Sequence, residues 1–231
     1  MSDIPQEAPE PTRADLAGQI ADAAAELGIP LPAGAADRLA AYATSLWLWN
    51  ERLNLTRHTD VARFVSRDVG DAAALLQHLA RGERVLDVGT GGGVPGVIIA
   101  ILRPDLRVEL SDSVAKKARA VAEIVREAGL VLPVHAAPAQ ELVASRPAGA
   151  VRFDTLVARA VAPLPKLLRW FEPQADTFGR LLVIKGPRWE QERDEARVLR
   201  LGKRVSIRRI ASWPLVGTDS ESVLLEIRSA G

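Results

Sequence analysis

Residues 87–96 read Asp87-Val88-Gly89-Thr90-Gly91-Gly92-Gly93-Val94-Pro95-Gly96. Five of the eight positions from 89 to 96 are glycine, and the run follows the apolar pair Val85 and Leu86. Glycine removes the side chain that would hold a ligand away from the main chain. A glycine turn between a strand and a helix is therefore where a ligand approaches the backbone. A tight turn without a ligand would not need so many glycines. Outward from this turn the chain alternates. Strand patterns at 85–88, 106–110, 130–135, 153–158 and 180–185 are separated by helix patterns at 115–127, 163–171 and 189–201. This rhythm predicts an α/β, Rossmann-like fold with a mostly parallel, doubly wound sheet. Two further strands, 205–210 and 223–227, have no helix signal between them and suit a hairpin, so one sheet edge is expected to be antiparallel. Ligands of such sheets sit outside the carboxyl ends of the strands.

Before the glycine turn the periodicity is helical. Leu16, Ile20, Ala23, Ala24 and Leu27 recur at steps of three and four until Gly28. Further helices are expected at 35–49 and 61–79. Residues 1–13, with Pro5, Pro9 and Pro11 among polar residues, read as a disordered tail. The expected organisation is that tail, a helical cap over 14–80 and a ligand-binding domain over 81–231.

Composition removes several chemistries. The 231 residues include no cysteine, which excludes disulfides, thiolate nucleophiles and cysteine-held metals. His58, His78 and His135 are too scattered for a metal site. No apolar run approaches the roughly 18 residues that would span a bilayer. The start, Met-Ser-Asp-Ile-Pro-Gln-Glu, is the opposite of a basic, apolar leader, so a cytoplasmic location is expected. The net charge of +1 hides one basic stretch: Arg197, Arg200, Lys203, Arg204, Arg208 and Arg209 have no acidic residue between them.

Two ligand classes compete for the turn. Gly91 to Gly96 spells G-x-G-x-x-G, the dinucleotide fingerprint. Counted from the first glycine, Gly89, the third glycine position is Val94. Asp87 would repel a pyrophosphate, and Pro95 removes an N–H that would cradle it. S-Adenosylmethionine suits the site better: it has no phosphate, and its sulfonium and amino groups are attracted by a carboxylate. The turn glycines Gly89, Gly91 and Gly93 are then cofactor contacts. Asp112, at the end of the second strand, can accept ribose hydroxyl protons in either class, or cap the next helix. Gln140 can meet an adenine edge.

With these residues in view, the chain resembles the bacterial ribosomal RNA small subunit methyltransferase G family, also called glucose-inhibited division protein B. The matching pieces are Trp49-Asn50-Glu51-Arg52-Leu53-Asn54-Leu55-Thr56, the glycine turn, Ser111-Asp112-Ser113 through Lys116-Lys117, Ala158-Arg159-Ala160-Val161-Ala162-Pro163-Leu164, and Ile184-Lys185-Gly186. The resemblance spans roughly residues 35–227. It implies methyl transfer from S-adenosylmethionine to N7 of a guanine in 16S ribosomal RNA, with cofactor contacts at Gly89, Val94, Ala139, Gln140 and Arg159 and a cleft that includes Asp112. The family usually carries Arg-His and then Asp-Ser where this chain has Arg67-Asp68-Val69-Gly70-Asp71-Ala72, and an acidic residue where Gln140 stands.

Guanine N7 is a lone-pair acceptor with no proton to remove, so its methylation needs orientation and desolvation more than a base. Arg159 is the expected catalytic residue: it can meet guanine O6, beside N7, or an RNA phosphate. An ion pair with Asp154 or Asp112 is its plainer role. Lys185 and the basic residues Arg197, Arg200, Lys203 and Arg204 are candidate substrate contacts along the RNA backbone. Trp189 and Trp213 can stack on bases, although single aromatic residues more often pack. The alternatives are a methyltransferase acting on protein or a small molecule, a dinucleotide oxidoreductase, and a non-catalytic RNA-binding assembly protein. A monomer without metal is expected.

Overall fold

The structure is a computed structural model that describes residues 12–145 and 153–230. The expected tail falls mostly outside the described residues, and its last two positions already belong to a helix start. Thr12 accepts from the Asp15 N–H while Asp15 reaches back to the Thr12 N–H, a capping box that opens α1 (Arg13–Glu26). Then come α2 (Ala35–Leu53) and α3 (Val61–Arg63), which continues through a π-helical stretch (Phe64–Val69) into α4 (Gly70–Leu76). After β1 (Arg84–Val88) follow α5 (Gly96–Leu102), β2 (Arg107–Ser111), α6 (Ala115–Glu127), β3 (Val134–His135) and α7 (Ala139–Ala144). The chain ends with β4 (Thr155–Arg159), α8 (Leu164–Phe171), β5 (Arg180–Lys185), α9 (Trp189–Val198), β6 (Val205–Pro214) and β7 (Glu221–Ser229).

The strands form one seven-stranded sheet in the order β3-β2-β1-β4-β5-β7-β6. The first five run parallel, and β7 pairs antiparallel with both β5 and β6. The antiparallel edge is as expected, but the last strand inserts inside the hairpin's partner, between β5 and β6. Both faces of the sheet are covered, which is why the central strands are apolar at nearly every position. Val85, Val157, Leu182, Ile184 and Leu224 face α1, α2, α5 and α6 in one core. Leu86, Val88, Leu156, Ala158, Val183 and Leu225 face α8 and α9 in the other. Right-handed crossovers dictate this division, because the strand order reverses direction between β1 and β4. A cleft opens at that reversal, at the carboxyl ends of β1, β2 and β4.

Two elements depart from the sequence pattern. The strand expected at 130–135 is reduced to Val134–His135, because Pro133 and the exposed Val131 leave only two residues to pair with β2. The helix expected at 61–79 contains the π-helical stretch, which buries Phe64, Val65, Asp68 and Val69 together.

Candidate active site

Asp87 lies on the sheet face covered by the N-terminal helices and has no exposed surface. Its Oδ2 accepts from Thr90 Oγ1 at 2.6 Å and from the Gly96 N–H at 2.9 Å, so one carboxylate oxygen closes the glycine loop from beneath. Its Oδ1 is buried without a partner. Burial pushes the Asp87 pKa up to about 6, against the pull of the Thr90 and Gly96 bonds. Asp87 was expected to face a ligand. The structure instead places it under the loop, where it supports the glycines and reaches a ligand only through its field.

The loop is held from every side. Thr90 N–H donates to the Ser111 carbonyl at 2.8 Å and Gly91 N–H to Asp112 Oδ2 at 3.0 Å. Gly89 has φ +64°, and a Cβ there would lie 2.9 Å from Val161, in the loop after β4. A Cβ on Gly92 would meet Leu46 at 2.8 Å, and Tyr42 Oη donates to the Gly92 carbonyl at 2.9 Å. Leu46 and Tyr42 belong to α2, so the N-terminal helices form the floor of the loop. Burial, with the charges of Asp68 and Asp87, raises the Tyr42 pKa well above its ordinary value and keeps the hydroxyl a donor. Gly91 differs: a Cβ there would meet nothing nearer than the Gly89 carbonyl at 4.0 Å. Val94 joins Pro95 through a cis peptide bond.

Asp112 is 6% exposed, and both its oxygens are engaged, Oδ2 by Gly91 and Oδ1 by the Val114 N–H at 2.8 Å. A carboxylate offers about four lone-pair sites, so capacity for ribose hydroxyls remains. It holds the turn before α6 rather than capping the helix itself. Ala139 and Gln140 open α7 beyond β3; Ala139 is buried, and the Gln140 amide has no side-chain hydrogen bond among the described residues.

Arg159 ends β4 with its side chain 14% exposed. Its Nη1 donates to Asp68 Oδ1 at 2.6 Å and its Nε lies 2.8 Å from Asp71 Oδ2. Asp71 Oδ1 accepts from Trp213 Nε1 at 2.9 Å, and Asp68 Oδ1 also bonds His58 Nδ1 at 2.7 Å. Burial alone would lower the Arg159 pKa, but Asp68 and Asp71 outweigh it and raise it. The expected partners, Asp154 and Asp112, are replaced by two acids of the π-helical stretch and α4. Asp68 and Asp71 lie in a segment, 67–72, that departs from the family pattern. Three- and four-residue spacing on a helix was the signal that could have paired them. Trp213, a base-stacking candidate from the sequence, has its N–H fixed to Asp71.

Two groups of expected substrate contacts lie elsewhere. Lys185 is 8% exposed, donating to the Ala162 carbonyl at 2.7 Å and to Glu192 Oε2 at 2.6 Å. Glu192 Oε2 also accepts the Leu164 N–H at 2.7 Å, so Lys185 braces the loop after β4 instead of meeting solvent. The basic stretch lies at the other end of the sheet. α9 starts beside the carboxyl end of β5 and runs back along it. Ile207 is level with Leu181 through Ile227, so Arg197, Arg200, Lys203 and Arg204 lie beyond the amino end of β5. Arg197 pairs with Asp194, and Arg204 with Asp176 and the Glu172 region. The structure does not bring them to the cleft.

Over residues 35–209 the chain matches the family described as rRNA small subunit methyltransferase G. It belongs to that family. Relatives named ribosomal RNA small subunit methyltransferase G include one from Rhodopirellula baltica, 45% identical over 82% of this chain and 80% of its own length. Another, from Symbiobacterium thermophilum, is 33% identical over 90% and 88%. Solved structures of the same fold include MtNAS with MTA and tNA, with a TM-score of 0.55 over 94% of this chain and 87% of that one at 14% identity. TrmN from Thermus thermophilus has a TM-score of 0.52 over 71% and 49% at 20% identity. As a member of the rRNA small subunit methyltransferase G family the chain is an S-adenosylmethionine-dependent methyltransferase.

The residues present fit that cofactor. Four acids, Asp68, Asp71, Asp87 and Asp112, are buried; Asp68 and Asp71 pair with Arg159, and Asp68 Oδ2 and Asp87 Oδ1 are buried without partners. Such a surplus of negative charge suits a cationic ligand and opposes a pyrophosphate. The open space above Gly91 lets a ligand reach the backbone. No helix among the described residues is long and apolar enough to cross a membrane.

Proposed function

We propose that this family member methylates N7 of a guanine in 16S ribosomal RNA, acting as a cytoplasmic monomer. Bound S-adenosylmethionine supplies a methyl group activated by a sulfonium. Gly89, Gly91, Gly93 and Val94 would carry the cofactor's backbone contacts, Asp112 its ribose, and Ala139 and Gln140 its adenine. Asp87 acts from beneath the loop through its charge. The observation that carries the reading is the state of Arg159. Two carboxylates hold its Nε and Nη1 at the cleft, and Nη2 makes no hydrogen bond among the described residues. A guanidinium held through Nε and Nη1 still has Nη2 to donate to guanine O6, which leaves N7 free. Asp68 and Asp71 are committed to Arg159, which suits a reaction that takes no proton from its acceptor.

The test is mass spectrometry of 16S rRNA nucleosides from cells with and without the gene, followed by add-back of protein and S-adenosylmethionine. Loss of one N7-methylguanine, restored on add-back, is the expected result. An unchanged level would overturn the reading. Arg159→Lys keeps the charge but not the two-acid grip, and should lower transfer at least tenfold while the fold persists.

A further inference from the structure

Asp68 receives two donors on one oxygen. Arg159 Nη1 is 2.6 Å from Oδ1 and His58 Nδ1 is 2.7 Å from it, while Oδ2 is buried and unpartnered. His58 comes from the loop between α2 and α3 and remains 22% exposed at the rim. Its backbone is fixed: the carbonyl accepts from Trp47 Nε1 at 2.9 Å, and the N–H donates to Thr56 Oγ1 at 3.0 Å. The imidazole is thus held against a carboxylate that already serves the cleft's arginine.

We propose that His58 is a positioning residue that makes RNA uptake pH-dependent, because its charge state decides how far Asp68 neutralises Arg159. The inference rests on RNA being the substrate. With His58 neutral, Asp68 and Asp71 are matched by Arg159 and by Arg67, whose charge reaches Asp71. Protonation of the imidazole adds one positive charge to that group. Asp68 then divides its charge between two cations, and Arg159 presents more of its own to an anionic ligand. RNA binding should therefore be tighter when His58 is protonated. The charged and titratable groups around the pair are Tyr42 from α2, Arg67 from the π-helical stretch, Asp71 from α4, Asp87 from β1 and Arg159 from β4. Asp60 and Arg63, near His58 in sequence, pair with each other. Asp87, raised to about 6, also changes charge across the pH range of the test, so the decisive comparison changes His58 alone.

His58→Gln keeps an N–H for Asp68 and cannot become charged. The experiment measures binding of 16S rRNA from gene-deleted cells to the protein without cofactor, from pH 6 to 8 at constant ionic strength. Methyl transfer is followed alongside. Wild-type binding should weaken about three- to tenfold more across this range than binding by His58→Gln, the scale of one added charge near an anion at intermediate dielectric. The change in transfer should appear in KM for RNA and not in kcat. Superimposable wild-type and His58→Gln binding profiles would overturn the proposal. Should His58→Gln not fold, proton NMR of the His58 imidazole in wild type decides: titration between pH 5.5 and 8.5 that shifts on adding RNA supports it, and an imidazole that does neither overturns it. Wild type that binds RNA but transfers no methyl at any pH would overturn the reaction assigned above, while the binding profiles still decide His58.

Discussion

Asp87 shows how one carboxylate can shape a cleft without entering it. Its folded pKa of about 6 lies above the ordinary carboxylate value, because burial disfavours the charge more than its two donors favour it. The folded protein therefore binds the proton more tightly than the unfolded chain. Stability from this group is complete below about pH 4 and is lost as pH rises through about 6, by up to about 3 kcal/mol. Asp87→Asn should remove that slope, seen as urea midpoints that fall less between pH 4 and 7 than in wild type. It should also weaken binding of S-adenosylmethionine more than that of its neutral-sulfur product in calorimetry. Gly96 is the matching steric residue: a Cβ there would lie 2.4 Å from Leu110 and 2.7 Å from Asp87 Oδ2. Gly96→Ala should destabilise by roughly 1–3 kcal/mol, read as a lower Tm. The sequence shows an acid at a strand end before a glycine turn. Its inward direction follows from sharing a face with Val85, which can be read only once the helices covering that face are known.

Among the elements, α2 has the largest influence on the site for its distance in sequence. Tyr42 donates to the Gly92 carbonyl from fifty residues upstream. Tyr42→Phe keeps the packing and leaves that carbonyl short of a donor, so stability should fall by about 1 kcal/mol. Cofactor affinity should fall several-fold, because the loop loses part of its support; calorimetric titration checks this. The strands and helices of the sheet were legible because apolar runs and glycine turns alternate. The π-helical stretch was not, since its residues follow an ordinary helical pattern and its wider turn goes with tertiary contacts, Asp68 to His58 and Arg159, that lie outside the helix. Lys185 departs from its sequence pattern for a related reason. A strand-end lysine reads as solvated until Glu192, one turn into the next helix, is seen to fold back upon it.

At the scale of the molecule, the sheet separates two charged regions that look continuous in sequence only with the cleft-side strands. The cleft at the carboxyl ends is acidic around Arg159, and the basic stretch occupies the far end. Replacing Arg197, Arg200 and Lys203 together by Gln should leave S-adenosylmethionine affinity within about twofold of wild type, since charges separated by more than a Debye length are largely screened. Trp213→Phe should act at the cleft from the other side of the chain order, lowering methyl transfer while the Tm changes by only a few degrees; unchanged transfer would show that the Asp71 bond does not matter to Arg159. Sequence alone could place 197–209 after β5, but the side on which it emerges depends on the helix running back along the sheet. The strand order carries one more consequence. β7 lies between β5 and β6, so β6 has no seat in the sheet until β7 has been made. A nascent chain fills its N-terminal helices and parallel strands first. Trp213 can settle against Asp71 only afterwards, which makes completion of the catalytic pocket one of the last events in the synthesis of this polypeptide.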